Sequence, residues 1–124
     1  MRGLGIVLAG TLAALIAGAP ARAADPLVIG MFGPMTGERS ALGLRFREAA
    51  DMFVGEVNAK GGIGGRLLEV RIEDSRGVPR EAANIAQKFA QDPAVLAVIG
   101  GQTSTESMAA GPILAPEAHA SSVR

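Results

Sequence analysis

The residues best suited to binding chemistry lie in a short hydroxyl-rich segment, Thr103-Ser104-Thr105, which follows the apolar run Val95–Ile99. Thr103 and Glu106 have the T-x-x-E spacing of a capping box, which predicts that a helix begins here. The unpaired N–H groups and the positive dipole end of that helix suit a carboxylate, and the hydroxyls of Ser104 and Thr105 can add donors. The same hydroxyls also suit a helix cap without a ligand, so the residues alone leave both interpretations open.

Motifs typical of enzymes and of cofactor sites are not found in the sequence. The loop after the first predicted strand, 33–37, lacks the G-x-G-x-x-G of a dinucleotide site, and the glycine cluster at 61–65 follows a helix rather than a strand. The segment 100–107 has no lysine for a P-loop, and no serine stands in a G-x-S-x-G nucleophile elbow. The single histidine, His119, lies in a polar, alanine-rich tail, and the sequence holds no cluster of metal ligands. We therefore predict a small-molecule binding site without enzymatic activity, cofactor or metal.

Composition and charge argue against several kinds of partner. The 124 residues allow one domain at most, and they include no cysteine for disulfides or lipid attachment. Without Arg2 and Arg22, ten basic residues stand against twelve acidic ones, a net charge near −2. That charge, with no Tyr or Trp and only four Phe, gives no reason to expect nucleic acid or an anionic membrane surface as a partner.

The first residues have the pattern of an export signal. A basic start at Met1-Arg2 precedes an apolar stretch, Leu4 to Ala17, and Ala21-Arg22-Ala23 is an A-x-A cleavage pattern. We predict a signal peptide at residues 1–23, cleaved after Ala23 or Ala24, and a periplasmic protein with no membrane insertion after cleavage. The alternative is an N-terminal anchor that is retained, which the short, glycine-containing apolar stretch makes the weaker interpretation.

Strand and helix patterns alternate along the remaining chain. The predicted order is strand 27–32, a helix from about 40, strand 67–74, a helix from 79, strand 95–99 and a helix from 104. This order is typical of an α/β fold with a partial doubly wound parallel sheet, βαβαβα. We predict that the apolar third strand lies centrally beside the first, with the second strand outside them. The loops 33–40 and 100–105 should then meet at the carboxyl ends of the strands.

Several segments resemble leucine/isoleucine/valine-binding proteins, the extracytoplasmic receptors of branched-chain amino-acid ABC transporters. The segment 28–37 is similar to the family's opening "IGxxxPxTG", and 56–66 is similar to "xINAxGGIxGR". The pair Glu73-Asp74 matches an acidic pair that ends the second strand, and 99–104 resembles the "IGxxxS" ligand loop. The matches are in order and cover about residues 27 to 110.

The resemblance implies a type I periplasmic binding fold, in which two α/β lobes close over a ligand. It implies that Ser104 contacts the α-carboxylate of an amino acid or related amide, with Thr105 and Thr103 nearby. Leu42 falls where leucine-binding members often place an aromatic residue, which leaves the particular solute open. Asn58 and the glycines at 61–65 carry over as structural residues. An ABC permease is the implied partner.

Family members are much longer than this chain, and residues 116–124 diverge from their pattern. We therefore expect residues 24–115 to form the N-terminal part of lobe 1, in a truncated receptor with marginal stability and no useful ligand affinity by itself. A small flavodoxin-like domain that acts through protein contacts is the alternative interpretation.

Overall fold

A computed structural model describes residues 24–115 of the chain. The predicted signal peptide, the divergent tail and His119 lie outside the described residues. Within 24–115, no helix is long and apolar enough to cross a membrane. The elements alternate as predicted, in the order β1 Leu27–Gly33, α1 Ser40–Ala59, β2 Leu68–Asp74, α2 Pro79–Gln91, β3 Val95–Ile99 and α3 Ser104–Leu114.

The three strands form a parallel sheet in the order β2-β1-β3. Placing β2 outside and β3 beside β1 was correct, but the prediction that β3 is central is wrong for the described sheet. β1 is central, and the outer side of β3 is unpaired within 24–115, so that Leu96 is 60% and Ile99 52% exposed. Gly30 in β1 lets α2 pack closely on the face of the sheet, because a Cβ there would lie 2.9 Å from a ring carbon of Phe89.

The main core lies between the sheet and the two helices α2 and α3. α2 begins at Pro79, whose fixed φ suits the first helical position, and has Glu81 in its first turn and Lys88 in its last. Its apolar residues recur at helical spacing and so form one buried stripe. The buried core cluster comprises Phe32, Ala82, Ile85, Ala86, Phe89 and Ala110.

α1 covers the other face of the sheet less completely. Phe46 is half-buried and Phe53 is exposed beside an apolar cavity of about 290 Å³ between α1 and the sheet. The end of α1 is fixed by Asn58, whose amide donates to the Leu68 carbonyl at 2.9 Å and accepts from the Leu68 N–H at 2.8 Å. Gly62 follows with a φ of 80°, and a Cβ there would lie 2.0 Å from the Arg66 carbonyl oxygen. This structural role of Asn58 and the glycines is as predicted.

Candidate functional site

The loops that follow the three strands come together at the carboxyl edge of the sheet, where open α/β folds bind ligands. A Cβ built on Gly33, the last residue of β1, would lie 2.8 Å from the side-chain carbon of Gln102 in the loop after β3. A Cβ on Gly100 would lie 2.4 Å from the ring of Phe32. The predicted meeting of the loops after β1 and β3 is therefore confirmed, and glycine at both positions permits it.

Asp74 joins the loop after β2 to the loop after β1. Its Oδ1 accepts hydrogen bonds from the N–H groups of Met35 at 2.8 Å, Thr36 at 3.3 Å and Arg76 at 2.8 Å. Its Oδ2 accepts from the Thr36 hydroxyl at 2.5 Å. Burial raises the pKa of the Asp74 carboxyl, but these hydrogen bonds, led by that of Thr36, outweigh burial and hold the pKa below 3.8. Asp74 is therefore a charged brace between two loops.

The predicted cap of α3 is present. Thr103 has an extended backbone, with φ −119° and ψ 151°, and its hydroxyl accepts from the Glu106 N–H at 3.3 Å. Ser104 and Thr105 follow as the first two helical residues, and both are exposed. As at the start of any α-helix, their N–H groups have no intrahelical acceptor. Those two amides, with the adjacent hydroxyls, are the groups that can receive a carboxylate.

Glu106 does more than the capping box predicts. In a reciprocal box its side chain would return to the backbone N–H of the cap residue. Instead it is wholly buried, with Oε1 accepting from the Ser75 hydroxyl and Oε2 accepting from the Thr103 hydroxyl at 2.9 Å. Ser75 is also wholly buried, and its N–H donates to the Gly33 carbonyl at 2.9 Å. Glu106 and Ser75 thus fasten α3 to the loop after β2 and to the end of β1.

Leu42 lies apart from the hydroxyl segment in sequence but belongs to the same edge of the fold. It is the third residue of α1 and is 48% exposed, and its N–H donates to the Arg39 carbonyl at 3.0 Å. The next residue, Gly43, packs directly on the loop after β1, since a Cβ there would lie 2.1 Å from the Pro34 carbonyl oxygen. A ligand contact by Leu42 stays a prediction. Among residues 24–115 no group of three or more acidic, histidine or cysteine side chains is placed to hold a metal.

A model of the periplasmic binding protein family matches residues 26–118, three quarters of the chain. The chain belongs to that family. The curated relatives include the Leu/Ile/Val-binding protein BraC3 of Rhizobium johnstonii, 34% identical over 87% of this chain, and Leu/Ile/Val-binding protein homolog 1 of Brucella abortus, 36% identical over 84%. The chain spans 29% and 28% of the length of these two relatives. The resemblance to Leu/Ile/Val-binding proteins is confirmed.

Solved structures of substrate-binding proteins are similar in fold to this chain over about a quarter of their own length. A branched-chain amino acid transporter substrate-binding protein, LivJ of Streptococcus pneumoniae, in complex with isoleucine, is 32% identical with a TM-score of 0.69. The alignment covers 75% of this chain and 26% of the length of that protein. A substrate-binding protein of Desulfitobacterium hafniense in complex with Leu is 29% identical, with a TM-score of 0.62. The alignment covers 73% of this chain and 25% of the length of that protein.

Membership settles the broad class of this chain. The described residues form part of the fold of a type I periplasmic binding protein, and membership of a periplasmic solute-binding family implies an extracytoplasmic location. The flavodoxin-like interaction domain is accordingly the weaker interpretation. Ligand contacts by Thr103, Ser104, Thr105 and Leu42 stay predictions.

Proposed function

We propose that this chain provides part of the solute site of an ABC-transporter receptor for a branched-chain amino acid or a related amide. In this proposal a signal peptide at 1–23 directs export to the periplasm, and residues 24–115 form the N-terminal part of lobe 1. Tail residues 116–124 lie outside that unit, and an ABC permease receives the solute. No catalysis is involved.

The observation that carries the proposal is the capped start of α3 at the edge where the three loops meet. Thr103 occupies one backbone donor of the first turn, which leaves the amides of Ser104 and Thr105 for a ligand carboxylate. The two hydroxyls lie beside those amides on exposed residues, and Asp74, Ser75 and Glu106 hold the surrounding loops in place. The relatives named for binding Leu, Ile and Val support a carboxylate-bearing solute.

The test is an amide NMR titration of the chain with leucine. We expect shifts that centre on the amides of Ser104 and Thr105, with a dissociation constant weaker than micromolar, because an isolated part of one lobe makes few of the contacts of a closed site. Micromolar or tighter binding would contradict the expected weak affinity. Shifts centred elsewhere, or none at millimolar leucine, would contradict the site.

Two substitutions at Ser104 separate its hydroxyl from its amide. Ser104→Ala removes the hydroxyl alone, whereas Ser104→Pro also removes the N–H at a helical position that accepts proline. The extended backbone of Thr103 is the conformation that a residue before proline prefers, so α3 should persist. We expect Ser104→Pro to weaken the leucine response more than Ser104→Ala does. Equal responses from the two variants would show that the backbone amide is not a ligand group.

A further inference from the structure

We propose that Gln102 is a ligand-binding residue with two positions. In this structure its side-chain amide lies folded over Gly33, and it turns outward to hydrogen-bond an amino acid bound at the carboxyl edge of the sheet. The inference rests on the proposed function, since it concerns a solute at the same edge. The group that carries it is the Gln102 amide and not the start of α3.

The amide of Gln102 is buried without a hydrogen-bond partner. Its Nε2 and Oε1 atoms are both buried, and neither finds a partner among the residues that the structure describes. The residue as a whole is half-buried, so its exposed area belongs to its other atoms. The carbonyl of Gly33 already accepts the N–H groups of Met35 at 3.0 Å and Ser75 at 2.9 Å. Both lone pairs of that carbonyl oxygen are in use, so it is no acceptor for Gln102.

A buried amide in this condition destabilises the arrangement in which it is observed. Its donors and acceptor have lost their hydrogen bonds to water and gained none from the protein. Methionine has a similar length and carries no such groups, so packing alone gives no reason for glutamine here. Buried polar groups without partners are rare in folded proteins, and each one needs an explanation. A partner from outside residues 24–115 provides one, and a solute is the partner that this edge of the fold suits.

The amide lies on the face of the sheet that α1 covers. The position of a Cβ built on Gly33 is 2.8 Å from Gln102 Cδ and 2.9 Å from both Nε2 and Oε1, so the amide lies flat against that position. Side chains alternate along a strand, so Gly33 faces the same side as Ile29 and Met31, which line the cavity under α1. α3 packs on the opposite side, where Phe32 belongs to the main core. Gln102 therefore reaches from the loop after β3 to the α1 side of the crevice.

An outward rotation of the side chain gives the amide a partner when an amino acid binds. The atoms beside Gly33 are the far end of a flexible side chain, so the amide can leave this position without a backbone shift. It then offers two N–H donors and one carbonyl acceptor. An amino-acid head group uses both, because its carboxylate accepts hydrogen bonds and its ammonium group donates them. Since the folded amide has no water to lose, Gln102 forms this hydrogen bond without a further desolvation cost.

The side-chain NH2 signals of Gln102 report on the amide directly. They are assigned by their loss in Gln102→Met, and leucine is titrated into the isotope-labelled full chain. We expect these signals to shift with the same leucine dependence as the backbone amides of Ser104 and Thr105. The side chain of Gln87, which is exposed in α2, is the internal control, and its NH2 signals should not move.

Two substitutions act on the amide in opposite directions. Gln102→Met removes it at similar side-chain length, and we expect a higher urea midpoint of unfolding and leucine binding that is weaker by about threefold to tenfold. Gly33→Ala places a Cβ where the amide lies, in an extended strand that alanine also adopts. Leucine binding should tighten by about twofold or more, because the amide is already turned outward. In the double variant that gain should be lost.

Gln87→Met is the matched control for the loss of a side-chain amide. It makes the same chemical change at an exposed position of α2, so the urea midpoint and the leucine affinity should stay as in the wild type. A merely structural Gln102 would predict a different pattern, in which Gln102→Met leaves leucine binding unchanged.

The outcomes are distinguishable. If leucine shifts the backbone amides of Ser104 and Thr105, then unmoved Gln102 side-chain signals, or an unchanged affinity of a folded Gln102→Met chain, overturn the inference and leave the proposed function standing. Weaker leucine binding by a folded Gly33→Ala chain overturns it as well. If the variants do not fold, through-bond assignment of the side chain lets the wild-type titration decide. If leucine shifts none of these signals, the proposed function fails and the inference fails with it.

Discussion

Replacing Gly43 with alanine is expected to lower the free energy of unfolding by about 3 kcal/mol or more, at the upper end of the range for overpacking substitutions. The added Cβ would lie 2.1 Å from the carbonyl oxygen and 2.6 Å from the carbonyl carbon of Pro34. These are backbone atoms of a buried residue, so no flexible side chain can move aside. Either α1 or the loop after β1 has to shift, and that loop forms one side of the candidate site.

Gly55 provides the matched control, because it lies in the same helix with nothing within 4 Å of a built Cβ. Gly55→Ala is expected to stabilise the chain by about 0.5–1 kcal/mol, since alanine has the higher helix propensity. Urea unfolding followed by far-UV circular dichroism measures both variants. A Gly43→Ala chain as stable as the wild type would contradict the close approach of α1 to Pro34.

Replacing Asp74 with alanine is expected to lower the free energy of unfolding by about 1.5–3 kcal/mol at neutral pH, the range for hydrogen bonds to a charged group. The substitution leaves the amides of Met35, Thr36 and Arg76 without their shared acceptor. Asp51→Ala is the control. The Asp51 carboxylate is exposed and forms a long ion pair, 3.7 Å from Arg47 Nε, so its loss should lower the free energy of unfolding by less than about 1 kcal/mol. Equal effects of the two substitutions would contradict the bracing role of Asp74.

The contribution of Asp74 should also depend on pH. Its pKa in the folded chain lies below the ordinary value of 3.8, so the ionised form is favoured by folding. The stabilisation is therefore fully present above pH 3.8 and is lost as the pH falls through the folded pKa. The difference in unfolding free energy between wild type and Asp74→Ala should shrink in that acidic range. A difference that grows on acidification would contradict this assignment.

Local patterns sufficed to predict several elements. The start of α2 at Pro79 and the cap of α3 at Thr103 depend on residues within one turn of each other, and both are present. The motif that contains Asn58 and the following glycines also acts locally, between the end of α1 and the start of β2. Short-range hydrogen bonding and backbone conformation are visible in sequence spacing, so these predictions succeeded.

The features that local patterns missed depend on contacts between distant segments. Ser75 belongs to no recognisable sequence motif. Its hydrogen bond to Glu106 joins residues that are 31 positions apart, so no local spacing could predict that contact. The apolar character of β3 predicts burial, yet strand order depends on how the crossovers pack, and β1 takes the centre. The T-x-x-E spacing identified Glu106 as a capping residue but could not reveal that its side chain is turned inward.

The central claim is that this chain supplies a working part of an amino-acid site, and a chimeric receptor tests it most directly. Residues 26–118, which match the family model, would replace the aligned N-terminal segment of the Rhizobium johnstonii relative, with leucine binding measured by calorimetry. We predict that the chimera binds leucine within about tenfold of the parent, roughly 1.4 kcal/mol, and that Ser104→Pro in the chimera weakens binding further. A folded chimera that does not bind leucine, or one that is indifferent to Ser104→Pro, would contradict the account.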